Sequence, residues 1–171
     1  MRYILKIFIL LIAISICLSL TNCQKNKLNK SNETTPVKNL ILMIGDGMGP
    51  GQISLLYYFL EHTKNSKLSN TPYAFETLSE AAPVAISATA PHGNIVVDSA
   101  CSATQLSLGR PSRSEMIGLD INGDPIDTIL EKAKNKGMST GLVTDTRLTH
   151  ATPAAFAAHV ANRWYENEIA E

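Results

Sequence analysis

Apolar positions along this chain change their period several times, and each change marks an element. Asn39-Leu40-Ile41-Leu42-Met43-Ile44 is a near-continuous apolar run. That pattern predicts a parallel strand over 39–44 buried on both faces, not one with a wet face. Shorter β-branched stretches predict strands near 84–89 and 94–97, the latter carrying Ile95, Val96 and Val97, and another over 139–144. Helices are expected over about 51–62, 99–109, 125–136 and 153–163, the last rich in alanine, the strongest helix former. Residues 110–124, with Pro111, Gly118 and Asn122-Gly123, read as an excursion and turn, 64–72 as a loop, and 164–171 as the start of another helix. Strands alternating with helices predict an α/β sandwich.

The amino terminus has a different pattern. Arg2 and Lys6 precede an apolar run over 7–20, interrupted only by small polar residues. It is short for a membrane span and suits a signal-peptide core. Leu20-Thr21-Asn22-Cys23 resembles a relaxed bacterial lipobox with Cys23 as the lipidated residue, although Asn22 stands where glycine or alanine is usual. Simple signal cleavage and a retained anchor are the alternatives. Residues 24–36, rich in Lys, Asn, Ser and Thr, read as a flexible tether. The organisation expected is a signal peptide over 1–23, a tether over 24–36 and the N-terminal part of a folded domain over 37–171. The location expected is the cell envelope or periplasm, with a lipid anchor in the membrane.

Composition changes this picture little. A net charge of zero over 171 residues gives no case for nucleic acid. The three cysteines form no disulfide framework, because Cys17 lies in the leader, Cys23 is the lipid candidate and Cys101 is left without a partner. Cys101 reads as a packed small hydrophobe.

Candidate chemistry gathers at three strand ends. After 94–97 comes Asp98-Ser99-Ala100, followed by a helix-compatible run of small residues. A serine at a helix N-terminus sits where free N–H groups and the helix dipole favour an anion, so it can hold and attack phosphate. Taken alone, helix capping by Asp98 or Ser99 explains the motif as well. After 39–44 comes Gly45-Asp46-Gly47-Met48-Gly49. An aspartate between glycines at a strand's carboxyl end suits a hard divalent cation, or caps the next helix. The glycine spacing fits no nucleotide-binding loop. After 139–144 comes Thr144-Asp145-Thr146-Arg147-Leu148-Thr149-His150-Ala151-Thr152-Pro153, then the alanine-rich stretch ending in Arg163. Thr152-Pro153 resembles an N-cap followed by proline at the first helical position. Arg163 has the bland alternative of a solvated cation at a helix C-terminus. His159 reads as a packed helix residue without chemistry.

The three motifs, in this order, resemble the alkaline phosphatase family, and so does the connecting text Ile117-Gly118-Leu119-Asp120. The resemblance covers residues 37–171. It implies an alkaline-phosphatase-like α/β sandwich with a mostly parallel central sheet, incomplete in this chain. It implies two zinc ions and one magnesium, phosphate monoesters as substrates, inorganic phosphate as product, and allows a homodimer. Asp46 matches the aspartate that bridges a zinc and the magnesium. Ser99 matches the nucleophile that becomes phosphoserine and contacts that zinc. Thr152 matches a hydroxyl ligand of magnesium, and Arg163 the arginine that grips two phosphate oxygens. His150 falls where the family carries aspartate or histidine beside the magnesium. A histidine there removes a negative charge and predicts weaker magnesium retention.

The family's remaining aspartate, histidine and glutamate ligands have no match before Glu171; His62, His92 and His159 occupy no matching motif. The chain is therefore expected to be an N-terminal fragment, inactive alone. Two other functions are compatible with the motifs: a phosphodiesterase or sulfatase-like hydrolase of the same superfamily, and a noncatalytic envelope protein that binds phosphate or metal.

Overall fold

The computed structural model describes residues 37–63 and 73–171. The leader and tether, with Cys17 and Cys23, and the 64–72 loop lie outside the described residues. The chain divides into two units at Met43 and Ile44. Of the first, residues 37–43 are described and are extended. Within the second, the described residues form α1 (Pro50–His62), α2 (Ala74–Ala81), α3 (Ser99–Leu108), α4 (Ile129–Asn135), α5 (Ala151–Ala154) and α6 (Glu166–Ile169).

Helix α3 is the hub. Asp98 caps it, with Oδ1 accepting the Cys101 N–H at 3.0 Å, and Gly109 ends it in the left-handed conformation at φ 69°. Its small residues let neighbours approach closely. Ala100 packs with Ile117, Ala151, Ala154 and Val160, while Ala103 packs with Ala155 and Phe156. Both α4 and α5 lie against it. The excursion over 110–124 is stitched to α3 by hydroxyls. Buried Thr104 donates to the Met116 carbonyl and accepts the Gly118 N–H. Gly118 is a required glycine: at φ 62° an added Cβ would strike the Ala158 carbonyl oxygen.

Helix α4 starts at Ile129, not near 125, because Thr128 caps it in a reciprocal capping box with Glu131. The Thr128 hydroxyl also donates to the buried Phe156 carbonyl at 2.7 Å. One element escaped the sequence pattern altogether: α2, an exposed helix without a side-chain cap.

One expectation is corrected. The alanine-rich stretch is not a helix over 153–163. Helix α5 stops at Ala154, and Val160 forms an antiparallel bridge with Ile117, each N–H donating to the other's carbonyl at 2.9 Å. Tertiary pairing overrides alanine's propensity. The expected sheet is not shown: the pairings among the described residues are isolated bridges, Ile117 with Val160 and Leu119 with Pro125. Segments 39–44, 84–89, 94–97 and 139–144 run without ladders. A strand is completed by a neighbour's backbone, and no described segment supplies one to these. Most of their apolar side chains are exposed, Ile86 at 99% and Ile95 at 90%, although Leu142 packs against the Ala103–Phe156 cluster.

Candidate active site

Ser99 is the first residue of α3, half-buried, with its hydroxyl at the helix N-terminus. The cap is Asp98 alone, so the Ser99 side chain is free for another partner. That partner is Arg163, whose Nη1 donates to Ser99 Oγ at 2.9 Å. Arg163 does not end a helix. It lies just beyond the Val160 bridge, and its backbone N–H donates to the Glu115 carbonyl at 2.8 Å. The guanidinium also sits 5.3 Å from the centre of the Trp164 ring, within cation–π reach.

The second Arg163 nitrogen, Nη2, is 3.2 Å from His150 Nε2. A guanidinium only donates, so Nε2 accepts and the ring proton is carried by Nδ1. That nitrogen is buried and has no partner among the described residues. His150 is itself the N-cap residue of α5, which displaces Thr152 from the expected capping position to the second residue of the helix. Freed from capping, the Thr152 hydroxyl donates to Asp46 Oδ2 at 2.8 Å. Asp46 likewise caps nothing: α1 starts from Gly49, whose N–H donates to the Gln52 side chain. Asp46 sits on a turn opened by Gly47 at φ 68°.

Five residues singled out from the sequence are therefore linked in two hydrogen-bonded groups, Ser99–Arg163–His150 and Thr152–Asp46. His150 and Thr152 share one short helix end. A hydroxyl held by a guanidinium at a helix N-terminus is an arrangement for handling an anion.

Fit to metal was tested on donor chemistry. The Asp46 carboxylate and Thr152 hydroxyl are adjacent hard oxygens, of the kind magnesium takes. His150 Nε2 is already engaged by Arg163, and its Nδ1 is buried. A catalytic zinc needs about three protein ligands, and no group of at least three His, Cys, Asp or Glu side chains gathers for a metal among the described residues. The residues present fit part of a magnesium site and do not fit a complete zinc site.

Several neighbours had no sequence signal. Glu166 accepts from Arg147 Nε and Nη2 and from the Thr149 hydroxyl, pinning the loop that leads into His150. The Arg147 guanidinium, then the Thr149 hydroxyl, hold its carboxyl down at about 2. His159 donates from both ring nitrogens, Nδ1 to the Gly118 carbonyl at 2.6 Å and Nε2 to Glu131 at 3.0 Å. Burial works against its proton, but these two acceptors outweigh it and raise its pKa. Cys101 is fully buried, and burial pushes its thiol up. It is inert packing, as its sequence context implied.

A serine at a helix N-terminus with a guanidinium on it suits the handling of an anion, and comparison narrows the reading. The family model described as alkaline phosphatase matches residues 37–171. The chain belongs to the alkaline phosphatase family. It is 38% identical over 144 residues to alkaline phosphatase 3 of Bacillus subtilis, covering 83% of this chain and 30% of that protein. The crystal structure of a cold-active alkaline phosphatase from a Shewanella species matches with a TM-score of 0.63 and 38% identity, over 75% of this chain and 31% of that one. A histidine-to-aspartate mutant of TAB5 alkaline phosphatase with Mg bound in its M3 site matches with a TM-score of 0.65 and 35% identity, over 77% of this chain and 35% of that one. The chain thus spans about a third or less of the length of these relatives.

Proposed function

We propose that the full-length protein hydrolyses phosphate monoesters through a phosphoserine on Ser99. The observation that carries this is the 2.9 Å hydrogen bond from Arg163 Nη1 to Ser99 Oγ at the start of α3. Phosphate entering that corner meets backbone N–H groups, the helix dipole and a guanidinium able to grip two oxygens. Ser99 Oγ attacks phosphorus and loses its proton, and the ester oxygen leaves as the alcohol after gaining one. Water then attacks the phosphoserine, releasing inorganic phosphate and restoring the hydroxyl. Arg163 stays with the transferring group through both steps, and lysine could not reproduce its forked geometry.

Asp46 and Thr152 would hold magnesium, with His150 meeting it through water. Bound there, the cation neutralises Asp46 and orders water beside the phosphate. Asp46 and Ser99 would contribute to one of the two zinc ions implied by the family resemblance, whose other ligands would lie beyond the described residues, so no step above passes through them. The unpaired segments 39–44, 84–89, 94–97 and 139–144 would be strands of a mostly parallel sheet in an α/β sandwich. Export by residues 1–23, lipid anchoring at Cys23 and residence in the envelope or periplasm belong to the same proposal and are supported by sequence pattern alone; no helix among the described residues is long and apolar enough to cross a membrane.

The test is Ser99→Ala in the full-length protein, with acid-quench trapping of radiolabelled phosphate on the parent. Turnover of a phosphate monoester should be almost abolished while metal content survives, and the label should be found on Ser99. Label on another residue overturns the assignment. Phosphate and metal binding without turnover in the parent supports the noncatalytic alternative instead. Two metal variants accompany it: Asp46→Asn should lower zinc and magnesium together, and His150→Asp should tighten magnesium by adding a negative charge. Full occupancy in the first, or unchanged magnesium affinity in the second, removes that residue from the site.

A further inference from the structure

Glu115 is the one non-glycine residue with positive φ among the described residues, at 67°. A glutamate there is strained, and such strain persists only where surroundings over-determine it. Three surroundings do so. Its N–H donates to Asp98 Oδ2 at 3.0 Å, while the other oxygen of Asp98 caps the helix that carries Ser99. Its carbonyl accepts the Arg163 N–H at 2.8 Å. Its neighbour two residues on, Ile117, is locked to Val160 in both directions. Backbone pairing thus sets Glu115 alongside Arg163, and Asp98 ties the pair to α3.

The side chain completes the arrangement. Glu115 Oε2 is buried with no hydrogen-bond partner, and it lies 3.9 Å from Arg163 Nε. The Arg163 side chain is only 14% exposed and the Glu115 side chain 38%, so the pair is partly shielded from water. The guanidinium is used by edge: Glu115 faces Nε, while Nη1 and Nη2 reach Ser99 and His150. A buried carboxylate oxygen without a hydrogen bond is costly. Its lack of a partner makes sense if its work is electrostatic, through the cation beside it.

We propose that Glu115 is a positioning residue for Arg163, holding the Nε edge so that the Nη pair is presented to phosphate at Ser99. The proposal rests on the phosphatase function above. It also gives a role to a glutamate in a left-handed turn where glycine would be relaxed. Without the carboxylate, the guanidinium can rotate about its own axis and offer phosphate a mixture of edges.

The test uses Glu115→Gln and Glu115→Gly in the full-length protein. Glycine suits φ 67°, so that variant should fold at least as well as the parent, and its thermal midpoint checks this. Both variants should raise KM for a phosphate monoester and the inhibition constant of inorganic phosphate about three- to tenfold, in line with a partly buried ion pair. Both should lower kcat less than kcat/KM, with glutamine the milder. In an Arg163→Ala background the same changes at Glu115 should have no further effect, because the route of action is gone. A Ser99-dependent parent whose Glu115→Gln and Glu115→Gly variants keep KM and phosphate inhibition unchanged overturns the positioning role alone. Losses that simply add in the Arg163→Ala background assign Glu115 a structural role and overturn it as well. A parent without Ser99-dependent turnover overturns the phosphatase function, and this role with it.

Discussion

Ile117 and Ile86 are the same residue type in opposite circumstances. Ile117 is 0% exposed, bridged to Val160 and packed on Ala100. Ile86 is 99% exposed in an extended segment without a ladder. The difference separates two regions. One comprises α3, the excursion after it, α4, α5 and the segment up to Arg163; the other comprises the extended apolar stretches. In the first, every apolar or hydroxyl side chain that matters finds its partner within the described residues. In the second, the sequence is as apolar but requires lateral neighbours. Burial follows partners, not hydrophobicity alone. The candidate site residues, apart from Asp46, all belong to the first region.

The sharpest way to break this comparison is a pair of truncations. Ile117→Ala should cost about 2–4 kcal/mol, as for a fully buried large-to-small change. Ile86→Ala in the same chain should stay within about 0.5 kcal/mol. Chemical denaturation reads both, and equal costs would show that Ile86 has a packed environment after all.

A somewhat smaller effect is expected at Thr128. Thr128→Ala removes the cap of α4 and strands the buried Phe156 carbonyl, for a cost of about 1.5–3 kcal/mol. The same denaturation measurement checks it, and amide exchange should rise over α4 and around Phe156.

The His159–Glu131 pair sharpens the comparison through pH. The folded protein raises His159 from its ordinary 6.5, so its contribution is complete below that value and disappears as pH rises through the higher folded one. Burial opposes ionisation of Glu131, but bonds from the Thr128 N–H and His159 lower it below 4.5, so its contribution is present above that value and is lost as pH falls through the lower one. The pair should therefore stabilise most between the two ordinary values, 4.5 and 6.5, by about 1 kcal/mol. Stability measured against pH should flatten on its alkaline limb in His159→Gln and on its acid limb in Glu131→Gln. A parent profile without either limb would contradict the arrangement.

The smallest effect concerns Glu166. Its carboxyl, held at about 2 by Arg147 and Thr149, contributes above its ordinary 4.5 and loses that contribution as pH falls toward 2. Because Arg147 is 65% exposed, Glu166→Gln should alter global stability barely at all. It should speed amide exchange over 147–150 and α6, and unchanged exchange there would remove Glu166 as the pin of the His150 loop.

The same division governs what the sequence alone discloses. Asp98 and Ser99 were legible because capping and helix termini are local: the oxygen acceptor and its N–H lie three residues apart. The capping box at Thr128 is equally local, yet the periodic pattern began too early and obscured it. Arg163 was recognisable by motif, but its place was not, since alanine propensity pointed to a helix and the Ile117 bridge prevailed. Thr152 looked like a cap, and only the fold shows His150 taking that place. Glu115 carried no signal whatever. Its backbone conformation is dictated by Asp98 and Arg163, which approach it only after the excursion folds back. The sheet was predicted from apolar runs, whose pattern specifies a strand's faces but not the neighbour that completes it.

The hydrogen bond from Thr152 to Asp46 joins residues 106 positions apart, while that from Glu115 to Asp98 spans 17. A ribosome extending a chain by about 5–20 residues per second releases Glu115 roughly 1–3 s after Asp98, but Thr152 about 5–20 s after Asp46. The Glu115–Asp98 contact can thus take shape early in a nascent chain, while both site corners form late, since Arg163 leaves the ribosome after Thr152. For that interval Asp46 is a bare aspartate on a glycine turn, available to whichever cation the surroundings offer first.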